Sequence, residues 1–332
     1  MTNKKILLSS LPQFRKQKLQ TITSNTKQTS SLVKMSEEHL LYNNLYRVLE
    51  INQNTALLFC ESNSLRVIWD SVNFAYPVKV GQIVKVKPRL ISNSNNGYIE
   101  VTRLIEYQCP DAKLNLFDLI PYAWVKDRSL VVRANTIFNK LSAPHRLLFN
   151  AIFWDAGRFE RFCRQPSSMV GHHSEVNGNL RHTIEVAEAM HSLCLTRDYT
   201  NMNLGVLAAM LHDAGKADEY TPNGKGGWDL TDRGRLLGHK VSAVEWIISA
   251  VTRWHIQLPL DHYEGLLHIM TAIPHAPDWM GIRAHVTPES LLLSMADRLS
   301  GHDDLMMQTV NLDGGFGRYH KHLKYSPFAV RG

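Results

Sequence analysis

The side chains of this chain that could do chemistry are concentrated in the run Leu211-His212-Asp213-Ala214-Gly215-Lys216. A histidine and an aspartate stand side by side where an apolar helical pattern, residues 204–211, ends. Imidazole and carboxylate together suit a borderline divalent ion such as manganese, iron, cobalt or zinc better than calcium. The run therefore predicts part of a metal site, followed by a glycine cap and a lysine.

Three further residues of the same types lie in other helical segments, namely His182, His239 and Asp297. Asp297 ends a stretch that is otherwise apolar enough to be buried, so it should have a cation or a hydrogen-bond partner. A metal held by two histidines and two aspartates keeps positions open for water or substrate. Such a metal can activate water and stabilise charge on a phosphoryl oxygen. The joint pattern predicts a metal-dependent phosphohydrolase.

Three basic residues near these ligands are, with Asp213, the predicted catalytic residues. Lys216 has a spacing that lets its ammonium approach a phosphate near the metal, and the alternative is a surface lysine whose charge favours a helix end. His172 and His173 could protonate a leaving oxygen or position a phosphate. Alternatively, these two histidines cap the start of the helix that follows them.

The length of 332 residues and the hydrophobic content of 44% predict a well-buried core and two domains. No apolar run reaches the roughly 18 residues of a membrane span, and no signal-peptide pattern is present, so no membrane partner is expected. Four scattered cysteines without a CxxC pair argue against a zinc ribbon or a disulfide framework. They favour a reducing, cytoplasmic setting.

The net charge of +7 is unevenly distributed, because seven lysines and arginines precede the first acidic residue, Glu37. Residues 1–40 are therefore predicted to form a basic, flexible arm. The arm is either a solvated tail or a segment that binds polyanions. An organellar presequence is less favoured, because the arm holds a single arginine.

Residues 41–110 contain five short β-rich runs, which predict a small barrel of the oligonucleotide-binding (OB) type. An SH3-like barrel or a sandwich fragment would give much the same pattern. Lys85, Lys87 and Arg89 alternate along one strand, and Trp69 is an aromatic residue nearby in sequence. Basic residues beside stacking rings suit single-stranded nucleic acid. The alternative is that the aromatic residues are core and the basic residues form a solvated face.

Residues 111–140 are predicted as a connector and residues 141–310 as a helical domain. Ser142, with Pro144 in the first turn, is a plausible start of a helix. The tail, residues 311–332, interleaves aromatic with basic residues. It packs over the site, contacts a nucleic-acid backbone or is a solvated terminus. The expected fold class is multidomain α+β.

The segment GHHSEVNGNLRHT, residues 171–183, resembles the HHA-x-x-GG-x-x-x-HT signature of the YhaM-type 3′-to-5′ exoribonucleases, one branch of the HD-domain phosphohydrolases. The similarity continues in residues 211–216, 234–239 and 296–299. It covers roughly residues 42–305 and is strongest from residue 140 onward. Asn177 departs from the signature, because it replaces the first glycine of the GG pair. The resemblance implies an OB-like barrel followed by an all-α HD-domain bundle.

Carried over residue by residue, the resemblance implies a first metal site with four ligands: His182, His212, Asp213 and Asp297. It also implies that the strand-binding part of the surface includes Arg235, in addition to the barrel residues. The predicted cofactor is one or two divalent ions, first of all Mn²⁺, with Co²⁺, Fe²⁺, Zn²⁺ and Mg²⁺ as alternatives.

A second metal is implied with His239 as a ligand and Asp213 as the bridge. Where the family has a His-His-Gly run, this chain has Ile273-Pro274-His275-Ala276, so a proline replaces one histidine. His275 takes the place of the second histidine. His268, seven residues earlier, could compensate, although Pro274 breaks a helix between the two.

The resemblance and the barrel together predict a 3′-to-5′ exonuclease that releases nucleoside monophosphates. Its substrate is single-stranded nucleic acid, with RNA favoured over DNA. A homo-oligomer is left open. One alternative is a nucleotidase or cyclic-nucleotide phosphodiesterase on the same helical scaffold. Another is a nucleic-acid-binding protein of a mobile element whose catalytic site is weakened, and the substitution by Pro274 keeps that alternative open.

Overall fold

The first five strands close into a barrel. The structure is a computed structural model that describes residues 45–61, 63–70, 78–89 and 97–331, so the predicted arm, residues 1–40, lies outside it. The strands are β1 Leu45–Asn52, β2 Thr55–Cys60, β3 Asn63–Ile68, β4 Ile83–Pro88 and β5 Ile99–Glu106, hydrogen-bonded in the order β1-β2-β3-β5-β4. Strands β3 and β5 are parallel, and β1 pairs with β4 to complete the ring. The prediction of a small five-stranded barrel is confirmed.

Strand β4 shows why these residues form a barrel, since Val84 and Val86 are buried while Lys85 and Lys87 face outward. This alternation of apolar and basic residues gives the strand one face in the core. Trp69, just after β3, is only 7% exposed and belongs to the same core. The prediction that Trp69 stacks on nucleic-acid bases is therefore wrong, because the indole ring packs inside the barrel.

Arg47 on β1 connects the barrel to the segment that follows it. Its guanidinium is buried, donates through Nε to Leu119 O at 2.9 Å and through one Nη to Gly81 O at 2.9 Å. The same group lies 4.9 Å from the centre of the Trp124 ring, a cation–π contact. Burial lowers the pKa of Arg47 to about 10, so it stays charged at neutral pH.

Replacement of Arg47 by alanine is expected to lower the free energy of unfolding by about 3 kcal/mol or more, because a buried and a half-buried carbonyl group lose their donor and a large void forms. Urea unfolding of both proteins measures this difference. Arg66→Ala on the exposed face of β3 is the matched control, with an expected change within about 0.5 kcal/mol. A small effect of R47A would show that the connection contributes little.

A mostly helical region follows the barrel. Its helices are α1 Arg128–Phe138, α2 Ala143–Ile152, α3 Ala156–Arg164, α4 Gly178–Leu195, α5 Met202–Leu211, α6 Lys216–Glu219, α7 Asp232–Leu236, α8 Gly238–Trp254, α9 Leu260–Thr271 and α10 Pro288–Thr309. Two 3-10 turns are Leu116–Leu119 and Asp278–Met280. Two short hairpins pair β6 Tyr220–Pro222 with β7 Trp228–Leu230 and β8 Gly315–Phe316 with β9 Phe328–Ala329. In the part of the chain that is described, no helix has the length and apolar character to cross a bilayer.

Helix α4 lies at the centre of the region and packs against α5 and α10. Gly205 on α5 makes the close approach possible, because a Cβ there would lie 2.6 Å from Met190 Cε of α4. Helix α5 starts at the side chain of Asn201, which accepts from Leu204 N at 3.0 Å. Helices α4 and α10 carry His182 and Asp297, and His212 and Asp213 follow directly after α5.

Ser142 precedes α2 as predicted, but its hydroxyl does not cap the helix. It lies 2.7 Å from Nδ1 of the buried His145, whose Nε2 is 3.1 Å from Nδ1 of His262 on α9. The amide of Asn201 donates to Nε2 of His262 at 2.8 Å. His262 therefore donates through Nδ1–H to His145 Nε2. A proton added at His145 Nε2 would face this N–H group, so protonation of His145 is unfavourable. Burial and His262 together lower the pKa of His145 to about 4.

This buried histidine pair predicts that stability falls in mild acid. The unfolded chain takes up the His145 proton near pH 6.5 and the native protein only near pH 4. The contribution is therefore complete above pH 6.5, and on the order of 2–3 kcal/mol is lost as the pH falls toward 4. Urea unfolding at pH 7, 5.5 and 4.5 tests this, with His145→Gln as the comparison. Equal pH dependence in both proteins would contradict it.

Candidate metal centre

Three side chains from separate elements meet at the buried end of α4. His182 Nε2 lies 3.2 Å from His212 Nε2 and 3.0 Å from Asp297 Oδ1. One ligand atom from each of the three residues lies within 4.8 Å of the others, and the group could hold a metal ion. The two imidazoles thus face each other, and Asp297 contacts a histidine as the pattern required.

Asp213 extends this group on two sides. Its Oδ2 lies 3.5 Å from His182 Nε2 and 3.4 Å from His212 Nε2. Its Oδ1 lies 3.4 Å from His239 Nε2, so each carboxylate oxygen faces a different set of imidazoles. The carboxylate is buried, and this placement has the geometry of a bridge between two ligand groups.

The orientation of two of the imidazoles is fixed by acceptors on their far side. His212 donates through Nδ1 to Ala209 O at 2.7 Å, and His239 donates through Nδ1 to Glu219 Oε2 at 2.7 Å. A carbonyl and a carboxylate can only accept, so the proton of each ring is on Nδ1. The lone pair of each ring is then on Nε2, which is the arrangement that metal-ligating histidines use.

His182 is oriented in the same way through a hydroxyl. Ser300 Oγ donates to Glu185 Oε2 at 2.7 Å and lies 3.0 Å from His182 Nδ1. Because the Ser300 hydroxyl donates its only proton to Glu185, it accepts a hydrogen bond from His182 Nδ1–H. The lone pair of His182 therefore also points into the cluster.

Two lone pairs that face each other at 3.2 Å repel, unless a proton or a cation lies between them. Burial alone would lower the pKa of His212, but Asp213 and Asp297 outweigh burial and raise it. At His182, burial outweighs Asp297 and lowers the pKa. A cation between the two rings would balance both lone pairs and both carboxylates. The donor set fits a divalent cation.

Lys216, the first residue of α6, is buried and not on the surface. Its ammonium lies 2.6 Å from Asp213 Oδ2 and 3.1 Å from Ser167 Oγ. Burial would raise the pKa of Asp213, but Lys216 and His212 hold it well below its usual value. The alternative of a solvated lysine is wrong, because the charge of Asp213 draws the ammonium inside.

Gly215 serves close packing and not capping. Its φ is −63°, which is ordinary helical backbone, so the expected glycine cap is not formed. A Cβ at this position would lie 2.0 Å from the carbonyl oxygen of His239. The glycine next to the His-Asp pair therefore lets the backbone that carries His239 approach.

His172 and His173 lie behind the cluster. His173 Nε2 is 3.1 Å from Glu185 Oε2, and the His172 ring centre is 5.0 Å from that of His182. Burial, with help from His182 and Lys216, lowers the pKa of His172 to about 4, so its ring is neutral at pH 7. Both rings lie next to the ring of His182, with centres 5.0 and 5.6 Å away. Their predicted contact with a leaving oxygen stays a prediction.

The departure of Asn177 from the GG pair is explained by its backbone. Its φ is +69°, in the left-handed region that asparagine tolerates better than most residues. Its side-chain amide donates to Trp124 O at 2.8 Å and to Cys163 O at 2.7 Å. The second position must stay glycine, because a Cβ on Gly178 would lie 2.0 Å from His173 O.

A cavity of about 300 Å³ opens beside the cluster. His212, Asp213, His239 and Asp297 line one side of it. The rest of the lining combines basic, hydroxyl and apolar side chains: Lys240, Arg298, His285, Ser290, Ser294, Ile269, Met270, Leu293, Ala272 and Pro274. The candidate centre is therefore open to a molecule about the size of a nucleotide.

His285 is a cavity residue that the sequence analysis missed. Both of its ring nitrogens are buried and have no hydrogen-bond partner among the described residues. Burial and the nearby Lys240 and His268 lower its pKa, so the ring is neutral at pH 7. Outside any recognisable motif, in the loop before α10, the residue carries no signal in the sequence.

The two other predicted ligands lie elsewhere. His268, in the last turn of α9, accepts from Val286 N at 3.2 Å, and it does not line the cavity. His275 is exposed in the loop after Pro274, with φ +56°. The structure brings neither to the cluster: His268 accepts from the backbone of Val286, and His275 lies beyond the end of α9 at Thr271.

The predicted strand-binding cations are on the surface. Lys85 and Lys87 are exposed on the barrel, and the Lys85 ammonium lies 5.2 Å from the centre of the Tyr107 ring. Arg89 pairs with Glu100 at 3.5 Å, and Arg235 is exposed on α7. Their contact with nucleic acid stays a prediction.

Comparison with protein-family models, with curated proteins and with solved structures found no match to this chain. The functional argument therefore rests on the geometry of the cluster and its cavity.

Proposed function

We propose that this protein is a metal-dependent phosphodiesterase that cleaves single-stranded nucleic acid from the 3′ end, with RNA as the favoured substrate. One observation carries the proposal: the Nε2 atoms of His182 and His212 meet the carboxylates of Asp213 and Asp297 beside an open cavity. A divalent cation bound there would supply Lewis acidity toward a phosphoryl oxygen. Mn²⁺ suits this mixture of imidazole and carboxylate ligands.

The likeness of four sequence segments to the HD-domain phosphohydrolases supports the proposal, because their key residues are adjacent in space. His239 faces the second oxygen of Asp213 at 3.4 Å, which is compatible with a second cation bridged by that carboxylate. The barrel supports a strand substrate, since its β1-β2-β3-β5-β4 order with a parallel β3–β5 pair agrees with an OB-like barrel.

The side chains of the cavity divide into two groups with different roles. Lys240, Arg298 and His285 can hold a phosphate, because they offer two cations and an unpaired imidazole. The apolar side chains of Ile269 and Met270 can contact a sugar or a base. Lys216 keeps Asp213 charged and in place through its 2.6 Å contact.

The test is to incubate the purified protein with end-labelled single-stranded RNA and DNA across Mg²⁺, Mn²⁺, Co²⁺ and Zn²⁺. A metal-dependent ladder that shortens from the 3′ end is the expected result. It should be lost in His212→Ala and kept in His191→Ala, a histidine outside the cavity. A ladder that persists in H212A would refute the proposal.

Replacement of His285 by alanine is expected to lower kcat/KM about 10-fold or more, because a hydrogen bond to a charged phosphate is lost. Metal content, measured on the purified protein, should stay unchanged. His275→Ala is the matched control, since His275 is exposed and outside the cavity lining. If H275A lost activity and H285A did not, the functional histidine would be His275, as the family resemblance implies, and not His285.

The size of the cavity favours a second candidate function, which is hydrolysis of a single nucleotide or a cyclic nucleotide. A volume of about 300 Å³ is at the small end of ligand sites. The rate of hydrolysis of a mononucleotide, compared with that of the strand, distinguishes the two functions. A mononucleotide that is turned over faster than the strand would favour the second.

A further inference from the structure

The tail after α10 is folded and presents aromatic rings to solvent. Four rings in this segment are largely exposed: Phe316 at 73%, Tyr319 at 66%, Tyr325 at 48% and Phe328 at 57%. The rings of Phe316 and Phe328 contact each other edge to face with centres 5.0 Å apart. Large exposed rings that contact each other, as Phe316 and Phe328 do, indicate a binding surface.

Cations alternate with these rings. Residues 312–331 hold a single acidic residue, Asp313, and four exposed cations: Arg318, Lys321, Lys324 and Arg331. None of the four forms an ion pair with a carboxylate of the described residues, so their charges are available to a partner. We call these four cations and four rings the C-terminal platform.

The platform is held on the end of α10 and is not a loose tail. Arg318 N donates to Thr309 O at 2.9 Å, and Gly317 N donates to Pro327 O at 2.7 Å. A Cβ on Gly317 would lie 2.1 Å from Thr309 O, so the segment packs closely on the last turn of the helix. Leu323 is buried beneath it. Rings held in this way lose little conformational entropy when they bind.

The position along α10 connects the platform to the cluster. Asp297 and Thr309 lie on the same helix, Pro288–Thr309, separated by about 18 Å at 1.5 Å per residue. On the described part of the barrel, Phe59 and Trp69 are buried, and the ring beside the exposed Lys85 is the half-buried Tyr107. The platform follows directly after the helix that carries Asp297 of the cluster.

We propose that the C-terminal platform binds single-stranded nucleic acid, with bases stacked on its rings and phosphates paired with its cations. Stacking on exposed rings beside basic side chains is how proteins bind single strands without regard to sequence. Because cations flank Tyr319 and Tyr325 instead of leaving one apolar edge, the surface fits a strand better than a lipid bilayer. The assignment of this strand as substrate rests on the proposed function, whereas strand binding itself does not.

The test measures the Kd of the full chain for a fluorescent single-stranded 20-mer RNA by anisotropy, in EDTA so that no metal-dependent cleavage occurs. The double variant Tyr319→Ala/Tyr325→Ala is expected to bind at least about 10-fold more weakly, and Tyr319→Phe/Tyr325→Phe to stay within about 3-fold. Tyr199→Ala, at a tyrosine that is 70% exposed elsewhere, is the control and should bind as the wild type does.

Unchanged strand affinity in the double alanine variant would overturn the proposal. Two other results would also overturn it, if strand affinity stays intact in the same variant. One is loss of binding to anionic phospholipid vesicles, and the other is a change from dimer to monomer in light scattering. Those results would assign the platform to a membrane or to a second copy. Hydrolysis of bis(p-nitrophenyl) phosphate is followed in parallel. If the wild type fails to cleave it but binds RNA through the tyrosines, the proposed function fails while the platform stands.

Discussion

Replacement of Asp213 by asparagine is expected to abolish cation binding and hydrolysis together. The carboxylate faces His182 and His212 with one oxygen and His239 with the other, so one substitution removes an anionic ligand from both groups. Asparagine keeps the size of the side chain, but it removes the charge and replaces one accepting oxygen by an NH2 donor. We expect metal affinity to fall by at least about 100-fold and the hydrolytic rate by about 1000-fold or more.

Calorimetric titration with Mn²⁺ and elemental analysis of the purified protein measure the first effect, and strand cleavage measures the second. Circular dichroism shows whether the variant is folded. Asp229→Asn, on the exposed strand β7, is the matched control and should behave as the wild type. A D213N protein that keeps its metal would mean that Asp213 is not a required ligand, and a wild type that binds no metal would mean that the cluster is a structural hydrogen-bond network.

Replacement of Lys216 by methionine is expected to destabilise the metal-free protein by about 3–5 kcal/mol. The buried carboxylate of Asp213 loses its cationic partner at 2.6 Å, and its pKa rises as a result. A divalent cation should restore much of this loss, since it supplies positive charge at the same carboxylate. The increase of Tm on addition of Mn²⁺ is therefore expected to be larger in K216M than in the wild type.

Thermal unfolding of both proteins, in EDTA and in Mn²⁺, gives the four Tm values that this comparison needs. Lys225→Met, in the exposed turn between β6 and β7, serves as the control. If K216M is as stable as the wild type in EDTA, Asp213 has another partner. If Mn²⁺ raises the two Tm values equally, the cation and the ammonium do not act on the same carboxylate.

The ligands that lie on long apolar helices could be predicted from the sequence. His182 and Asp297 are polar residues in otherwise apolar patterns, and burial forces such groups to find partners. His212 and Asp213 follow the most apolar helix segment, α5, and so had to be near the core. The five barrel strands could be predicted because short β-rich runs are separated by turn residues.

What failed depended on tertiary contacts that no local pattern encodes. Trp69 looked like a surface ring because basic residues lie nearby in sequence, but the barrel closes over it. His275 was aligned by spacing, whereas the loop after Pro274 turns it outward and another loop brings His285 to the cavity. The buried ion pair of Lys216 follows from the fold of the turn after α5, and spacing alone could not show it.

Helix α5 ends at the His-Asp pair, so the C-terminal end of the helix lies beside the cluster. The peptide dipoles of the helix add a negative potential at that end, favourable to a nearby cation by about 0.3–1 kcal/mol per unit charge and unfavourable to an anion. A phosphate that reaches this wall of the cavity without a cation would therefore meet repulsion from both backbone and carboxylates. In the function proposed above, substrate would therefore bind after the ion.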